Sequence, residues 1–408
     1  MNQASRAEAR RSGPQGGLLL GLKVVEFDQV IAGPLAGGLL ADQGADVVHV
    51  EPPGVGDSAR SMPTKDGGHL WWKVAGRNKR SVTIDLRQPA GRVGSQFCPP
   101  GRRGRRQPPR KHSRRVGSRL EVGACAQPAI DPAPDLGLWN EHLDGVCSRI
   151  RKGGLGAQRC RPHHGLPGRS TGAYRHLPRD SVSGLMGAYA ILSALYRPNT
   201  DPRFEGEWID PALFEPLFRL IEWQVILDDQ LGIVPQRSGN SLAVAPAAVV
   251  NTYLSRDQRW ITVTSGTPRS VLNIVRVLGL PEADYATVPD QARGQTLIDA
   301  SLRAWIAERD ANAALEVMAG AGVVASVIFD VANIMADPIY AERGDIATVD
   351  DPELGLIRMQ AALPRFENRP GAIWRSAPLL GEDNELVFRD WLGIGDEELE
   401  RLRSDGAF

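Results

Sequence analysis

Three short hydrophobic runs near the start of the chain predict the strands of a parallel sheet. LKVVEF (22–27), DVVHVE (46–51) and SVTIDL (81–86) combine β-branched residues with charged positions. Between the first two runs, the small and aliphatic residues of LAGGLLADQGA (35–45) predict a helix that ends at Gly44. A strand, a helix and a second strand in this order form a βαβ unit. The pattern therefore predicts an α/β fold with a Rossmann-like parallel sheet.

The remaining hydrophobic pattern predicts two apolar helices followed by a second α/β region. SVSGLMGAYAILSALY (181–196) and WIDPALFEPLFRLIEWQVIL (208–227) are apolar over helical lengths. A glycine-containing loop at Ser238-Gly239-Asn240 and a strand in RWITVTSG (259–266) follow, with amphipathic helices behind them. We expect a large Rossmann-like domain from residues 18–204 and 341–408, a smaller α/β domain from residues 205–340, and a disordered tail from residues 1–17.

The composition is that of an ordinary globular protein. The 408 residues are 42% hydrophobic and 24% charged, and the formal net charge is zero. A neutral chain gives no reason to expect a nucleic acid or an anionic membrane as partner. No apolar run reaches the roughly eighteen residues that a membrane-spanning helix needs. The N-terminus is polar and rich in Gly rather than a secretion signal, so we expect a cytoplasmic protein.

Residues 93–179 depart from this pattern in both charge and residue type. They contain 17 Lys and Arg but only 5 Asp and Glu. All four cysteines and five of the seven histidines also lie here. The run PPGRRGRRQPPRKHSRR (99–115) has neither helical nor strand periodicity. This anomalous window interrupts the α/β pattern on both sides of it.

Three explanations of the anomalous window compete. Clustered Arg is typical of a nucleic-acid-binding arm, but such arms usually lie at a terminus. A zinc site is disfavoured because the cysteines and histidines lack the usual ligand spacing. Translation of GC-rich coding DNA in a shifted reading frame would yield Arg, Pro, Gly, Cys and His, and two compensating shifts would preserve the length of the chain. We favour the shifted frame.

Asp180 directly precedes an apolar helix of small residues, and two compatible roles follow from that position. The residue before a helix often caps its free backbone N–H groups. Those N–H groups and the helix dipole also stabilise a carboxylate as the anion. An anionic carboxylate held in place can act as a nucleophile. Asp180 is therefore either a helix cap or a helix cap that also carries chemistry.

Two further polar segments lie beside the predicted strands. Gln29–Pro34 follows the first strand at the carboxyl edge of the sheet, where open α/β sheets bind ligands, although it also has the residues of an ordinary strand-to-helix turn. Asn78, Lys79, Arg80 and Arg87 flank the third strand. Such residues form either a solvated face or a site for phosphate groups.

The chain closely resembles the family III CoA-transferases, the relatives of carnitine-CoA and formyl-CoA transferases, over residues 18–92 and 180–408. The resemblance rests on the run from Gly21 to Arg92, on Asp180–Gly184, on Ala319–Val323, on Asp337-Pro338 with Glu342–Gly344, and on Ala377–Glu382. It implies a large and a small domain in each of two interlocked subunits of a homodimer. It also implies that no cofactor is permanently bound, and that coenzyme A passes from an acyl-CoA donor to a carboxylic-acid acceptor.

The resemblance also assigns roles to individual residues. The family motif Gly-Asp-Ser-x-Ser-Gly carries the catalytic aspartate, which implies Asp180, with Arg179 in place of the first Gly. This aspartate attacks the donor thioester to form a mixed anhydride and then an aspartyl-CoA thioester. His49 stands where relatives commonly have Lys, and a histidine at a strand end more often has a structural role. The implied contacts to the thiol and adenosine ends of coenzyme A are Gln29, Val30, Ala32, Asn78, Lys79, Arg80, Ile84 and Arg87.

Two alternatives stay open from the sequence. An α-methylacyl-CoA racemase, a relative in the same superfamily, pairs its aspartate with a histidine some thirty residues earlier. Ile150 stands there, and His142 is the nearest histidine. The other alternative is an inactive CoA-binding protein or pseudogene product.

Overall fold

A computed structural model describes residues 12–61, 63–86, 88, 90–97, 127–128, 146–148, 178–197, 207–234 and 245–408. The strands and helices of the first half of the described chain begin with the βαβ unit that the hydrophobic pattern predicts. They are β1 (Leu22–Glu26), α1 (Ala32–Asp42), β2 (Asp46–Glu51), β3 (Thr64–Lys65), β4 (Gly68–His69), α2 (Leu70–Ala75), β5 (Lys79–Thr83), β6 (Gln127–Pro128), β7 (Val146–Ser148), α3 (Pro178–Tyr196), β8 (Glu207–Ile209) and α4 (Glu215–Leu220).

A four-stranded sheet in the order β5-β2-β1-β6 forms the centre of this half. β1, β2 and β5 are parallel, and the short β6 is antiparallel to β1. The predicted α/β fold with a parallel sheet is therefore confirmed. β5 begins at Lys79 rather than at Ser81, because Lys79 and Arg80 already pair with β2. α1 begins at Ala32, so the predicted turn at Ala32-Gly33-Pro34 is the first turn of the helix, where proline is tolerated.

Helices cover both faces of the sheet. α1 and α3 lie on one face, where Leu40, Ala41 and Ile191 form a core with Val24 and Val47. The opposite face carries Val25, Val48 and Val82, which pack against helices from the C-terminal end of the chain. Because side chains of a strand alternate between the faces, Glu26, His49 and Ser81 lie on the α1 side, in one row across three strands.

The predicted helix over 208–227 is wrong in its extent. This stretch contains β8, then α4, and then α5 (Trp223–Leu231). Pro211 disfavours helical conformation at the residue before it, and Glu222 has a positive φ of 37° between the two helices. Ser183 Oγ lies 3.1 Å from the carbonyl oxygen of Leu213, which ties the turn before α4 to α3.

The second half of the described chain begins with a three-stranded antiparallel sheet and its helices. Val263 and Tyr253 of this sheet form a buried core with Ile274, Ile298 and Leu302. Thr267 caps α6 by accepting from the N–H of Ser270. The elements are β9 (Val249–Leu254), β10 (Trp260–Ser265), α6 (Pro268–Val277), α7 (Val288–Ala307), α8 (Ala311–Gly320), β11 (Ala325–Val327) and α9 (Val331–Ala336).

The last segment returns to the first sheet. Its elements are α10 (Pro338–Glu342), β12 (Ile346–Asp351), β13 (Gly355–Gln360), α11 (Asn384–Asp390) and α12 (Asp396–Ser404). Phe388 of α11 and Leu399 of α12 pack in the same core as Val48 of β2. Three short helices of the described chain are of the 3₁₀ type, namely Ser58–Ser61, Ala90–Phe97 and Glu282–Tyr285.

The chain divides into two compact units. One consists of residues 1–160, 174–222 and 339–408, and the other of residues 161–173 and 223–338. The second unit thus starts later in this region than the domain boundary expected at residue 205, since β8 and α4 lie with α3. That the two units are separate domains stays a prediction. No helix in the described part of the chain is long and apolar enough to cross a membrane.

Candidate active site

Asp180 lies within the first turn of α3, two residues after the helix begins. It is therefore inside the helix rather than at the residue before it, although a carboxylate in the first turn still gains from the helix dipole. Its Oδ1 is 3.2 Å from Arg179 Nε, and its side chain is 14% exposed. Arg179, the residue that replaces the Gly of the family motif, thus holds an ion pair with the carboxylate proposed to react.

Glycine lets α3 approach α1 closely. A Cβ added at Gly184 would lie 2.7 Å from the carbonyl oxygen of Ala32 and 3.0 Å from Leu35 Cβ. Further along, Ile191 of α3 packs with Leu40 of α1. The two helices therefore run in the same direction, and both begin at the same end of their contact. Asp180, one turn before Gly184, lies at the end from which residues 28–31 enter α1.

Residues 28–31 form a tight turn with a strained centre. Val30 has a φ of 75°, and the N–H of Ile31 donates to the carbonyl oxygen of Gln29 at 3.2 Å. This is a γ-turn with positive central φ, which is rare. Asp28 accepts from the N–H of Gln29 at 2.7 Å and from the N–H of Gly33 at 2.8 Å. Asp28 thereby joins β1 to the first turn of α1.

Asp57 holds the centre of the turn from outside. Both of its carboxylate oxygens lie 3.1 Å from the N–H of Val30. The carboxylate also accepts from the N–H of Ala59 at 2.7 Å. Its own N–H donates to Glu51 at 2.8 Å. A residue 27 positions further along the chain is thus hydrogen-bonded to the backbone of Val30.

A buried ion cluster supports Asp57. His49 Nδ1 is 2.5 Å from Glu26 Oε1, and His49 Nε2 is 3.2 Å from Asp57 Oδ2. The second contact is an ion pair rather than an aligned hydrogen bond. Glu26 and His49 face each other across β1 and β2. Glu26, His49 and Asp57 are at most 1% exposed, so this chain of charges lies inside the protein.

Two further cations complete the cluster. Lys79 Nζ lies 3.0 Å from Glu26 and donates to the carbonyl oxygen of Pro34 at 2.7 Å. Arg60 binds both oxygens of Glu51, at 2.7 and 2.8 Å. Buried charges need such pairing because the desolvation of each ion costs on the order of 5 kcal/mol. Gly37 makes room for the cluster, since a Cβ there would collide with Glu26 Oε2.

The pKa values in the cluster keep His49 charged. Burial lowers the pKa of His49, but the charge of Glu26 and the Asp57 carboxylate outweigh it and raise this pKa to about 9. Burial acts to raise the pKa of Glu26, but Lys79 and His49 lower it below its ordinary value. Burial likewise acts to raise the pKa of Asp57, but His49 lowers it below its ordinary value. Three carboxylates of the cluster thus face three cations.

Asp28 behaves differently, because none of the cations that the structure describes forms an ion pair with it. Burial raises its pKa to about 7, against the opposing effect of the hydrogen bonds from Gln29 and Gly33. It is 2% exposed. Near neutral pH the carboxyl group of Asp28, which lies next to the turn, is therefore partly protonated.

The residues expected to bind the adenosine end of coenzyme A are mostly engaged inside the protein. Asn78 is fully buried and joins Asp42, Ala372 and Trp374 by hydrogen bonds of 2.8 to 2.9 Å. Lys79 is part of the ion cluster, and Arg80 Nε is 2.7 Å from Asp46 Oδ1. Ile84 is a core residue. A contact of these residues with coenzyme A stays a prediction, and Arg87 lies outside the described residues.

Gln29, Val30 and Ala32 occupy the turn described above and the start of α1. Gln29 and Val30 are half-buried, and Ala32 is buried. Asp28, Asp57 and Glu26 are not predicted from the sequence as part of this site, and His49 is predicted to have a structural role. The available signal was the presence of charged residues within runs predicted to be buried strands, since a charge inside a sheet needs a partner.

Other sequence predictions fall outside the described part of the chain. These are the glycine loop at residues 238–240, the positions 142 and 150 that bear on the racemase alternative, and most of the anomalous window. Among the residues that the structure describes, no group of three or more His, Cys, Asp and Glu side chains is arranged to hold a metal ion.

Comparison with known proteins identifies the family. The chain matches CoA-transferase family III over residues 19–94 and 162–384. It is 29% identical to succinyl-CoA–D-citramalate CoA-transferase of Chloroflexus aurantiacus, with 94% of this chain and 96% of that one covered. It is 25% identical to formyl-CoA:oxalate CoA-transferase of Rhodopseudomonas palustris, covering 95% and 96%.

Solved structures agree in fold. A crystal structure of a CAIB/BAIF family protein from Brucella suis superposes with a TM-score of 0.68 at 22% identity, covering 91% of this chain and 99% of that one. The family match leaves residues 95–161 unmatched and resumes before Asp180. The segment without family character is thus shorter than the anomalous window. With more than half of its residues matched on both sides of that segment, the chain belongs to CoA-transferase family III.

Proposed function

We propose that this CoA-transferase moves coenzyme A between two carboxylic acids through a covalent intermediate on Asp180. The observation that carries the proposal is the close contact of Gly184 with Ala32, which brings the first turn of α3 to the turn at residues 28–31. A partly buried carboxylate in a first helical turn is favoured as an anion. It can therefore act as a nucleophile without a metal or a general base.

In the proposed reaction, an oxygen of Asp180 attacks the carbonyl carbon of the acyl-CoA donor. The carbon–sulfur bond breaks, which leaves a mixed anhydride and the CoA thiolate. The thiolate then attacks the aspartyl carbonyl carbon and expels the donor acid as its carboxylate, so that an aspartyl-CoA thioester remains. The acceptor carboxylate attacks this thioester, and the same two steps in reverse order release the new acyl-CoA and regenerate Asp180.

The turn at residues 28–31 is proposed to bind the reacting end of coenzyme A. Gln29, Val30 and Ala32 lie where the first strand ends, at the edge of the sheet at which α/β folds bind ligands. The amide of Gln29 is suited to donate a hydrogen bond to the thioester oxygen as negative charge develops there. Arg179 is proposed to control the access of Asp180 to the substrate, since the ion pair between them must open before the carboxylate can attack.

The substrate class follows from the relatives. Those matched over nearly their full length are named for succinyl-CoA with D-citramalate and for formyl-CoA with oxalate. We propose an acyl-CoA donor with a small carboxylic-acid acceptor. A cytoplasmic homodimer with two domains in each subunit is part of the proposal. The exposed Leu185, Tyr189 and Tyr196 of α3 support a subunit interface, because large apolar side chains in one helix favour burial.

The proposal predicts a covalent CoA adduct on Asp180. The enzyme is incubated with succinyl-CoA, and the peptide containing residue 180 is examined by mass spectrometry, while transfer to D-citramalate, L-malate and oxalate is followed by chromatography. We expect the adduct in the unsubstituted enzyme and none in Asp180→Ala, whose exchange falls by about a thousandfold or more. CoA binding should change little.

Asp180→Asn is the matched control, because it keeps the shape of the side chain and lacks the nucleophilic oxygen anion. It should be as inactive as Asp180→Ala. Normal turnover in either variant would refute the role of Asp180. Because the anomalous window bears on activity, the test is made on the chain as given and on a form with the reading frame restored.

A further inference from the structure

Val30 is held in a conformation that its own side chain disfavours. A β-branched residue at a φ of 75° is a backbone outlier. Such a conformation is strained and persists only when the surroundings determine it. Asp57 supplies that constraint, because its two oxygens accept the N–H at the centre of the turn.

We propose that Glu26, His49 and Asp57 form a positioning chain that holds the turn at residues 28–31 in its reactive conformation. The inference rests on the proposed function, since it assigns to this chain the orientation of the turn that meets the acyl-CoA thioester. None of the three side chains is proposed to touch substrate. They act through the backbone of Val30, and they are positioning residues.

The order of the chain follows from its contacts. Glu26 is fixed by the sheet and by Lys79, and it holds one nitrogen of His49. The other nitrogen of His49 faces Asp57. The ring of His49 lies 5.3 Å from that of Trp72, which limits its rotation. His49 thus transmits the rigid geometry of the sheet to a carboxylate that belongs to a loop.

Without the cation, Asp57 would not keep this position. Glu26, Glu51 and Asp57 are all buried, and like charges at short range repel strongly in a medium of low polarity. His49 lies between Glu26 and Asp57 and neutralises that repulsion. Loss of its charge should therefore displace Asp57 from the N–H of Val30 and free the turn.

Asp351 provides a matched control for Asp57. It is a buried carboxylate that accepts from two backbone N–H groups, those of Glu353 and Leu354, at 2.9 Å each. It is paired with a cation, Lys73, at 2.9 Å. It also accepts from the hydroxyl of Ser376, and the backbone that it holds is the turn between β12 and β13, not the turn before α1. A fall in kcat on substitution of either aspartate reflects a structural role, whereas a fall in kcat limited to Asp57 reflects positioning of the turn.

The test compares Asp57→Asn, His49→Gln and Asp351→Asn in the full chain and in its frame-restored form. The kcat and KM for succinyl-CoA are measured per folded molecule, at a temperature below each unfolding midpoint. We expect Asp57→Asn and His49→Gln to lower kcat by about tenfold to a hundredfold, because misplacement of a reacting group by about 1 Å can cost about a hundredfold. We expect Asp351→Asn to lower the unfolding midpoint similarly and to keep kcat within about twofold.

Two further variants test the mechanism of the effect. His49→Lys restores a cation and should recover most of the kcat lost in His49→Gln. Glycine adopts positive φ without strain, so in a Val30→Gly background the additional loss of kcat caused by Asp57→Asn should shrink to about threefold or less. His49→Gln, which leaves Asp57 unsubstituted, decides the question if Asp57→Asn does not fold.

The proposal is overturned if Asp57→Asn and Asp351→Asn change kcat equally, or if the loss on Asp57→Asn is the same with Gly as with Val at position 30. Failure of the proposed function looks different. In that case Asp180→Ala would retain its turnover, and the unsubstituted enzyme would carry no CoA adduct on residue 180, whatever the result at Asp57.

Discussion

At the scale of single residues, His49 shows how a side chain with an ordinary pKa near neutrality stays a cation at neutral pH. Burial alone would keep its ring neutral, but two carboxylates in contact reverse that preference. Its folded pKa is raised from 6.5 to about 9. The stability that its protonation contributes is therefore fully present below the unfolded pKa and is lost as the pH rises through about 9.

This linkage predicts a specific pH dependence of stability. Between about pH 7.5 and about pH 9.5 the free energy of unfolding should fall in the unsubstituted protein and change less in His49→Gln. Asp28, with a pKa of about 7, is already mostly ionised in that range. The groups facing His49, which are Glu26, Glu51 and Asp57, have lowered pKa values and stay charged. Urea unfolding at the two pH values measures the difference. An equal fall in unfolding free energy in both proteins would contradict the linkage.

At the scale of elements, the contact between α1 and α3 determines where Asp180 lies. The predicted helix 181–196 is confirmed and begins three residues earlier, at Pro178. Its small residues do what the sequence suggested at Gly184, where no Cβ fits against the carbonyl oxygen of Ala32. By contrast, the apolar pattern over 208–227 predicted one helix although the stretch contains two prolines. The structure has a strand and two helices there.

Gly184→Ala should therefore separate the two helices. Overpacking costs about 1 to 3 kcal/mol, and the higher helix propensity of Ala returns at most about 1 kcal/mol. With the full return from helix propensity, we expect a net loss of up to about 2 kcal/mol in unfolding free energy, together with a lower kcat because Asp180 moves relative to the turn. Gly320→Ala in α8 is the control, since no atom lies within 4 Å of an added Cβ; it should leave both quantities unchanged or raise stability slightly. Equal effects of the two substitutions would show that the contact is not tight.

At the scale of the whole molecule, residues 93–179 are the main discontinuity. They carry an excess of Lys and Arg over Asp and Glu, and the family match is interrupted within them. A shifted reading frame stays our prediction for this window, and the family match already resumes at residue 162 in the frame as given. Residues rich in Arg, Pro and Gly bury little apolar surface, so they do little to offset the entropy lost on folding.

We expect a frame-restored chain to be more stable and more active than the chain as given. The comparison measures resistance to protease, the unfolding midpoint and the rate of CoA exchange on both forms, after the coding DNA has been sequenced across both ends of the window. An increase of several kcal/mol in unfolding free energy, on the order of 5, would be in keeping with a restored part of the large domain. If both forms are equally resistant and equally active, the window is a genuine part of the fold.

The sequence by itself determined the features that depend on local order along the chain. Strand and helix periodicity are properties of neighbouring residues, so β1, β2, α1 and α3 could be predicted to within a few residues. Family motifs such as Asp180–Gly184 are also local, and they identified the kind of enzyme.

Only the tertiary structure decided which charges are buried and what they hold. Glu26, His49 and Lys79 have the sequence neighbours of ordinary strand residues, and the same pattern would suit a solvated face. Their burial depends on α1 packing over them, and their pairing depends on Asp57, which comes from a separate loop. Burial and pairing are properties of elements brought together in space, and desolvation makes unpaired charges costly there. For that reason the strained turn at Val30 and the carboxylate that holds it could be found only in the folded chain.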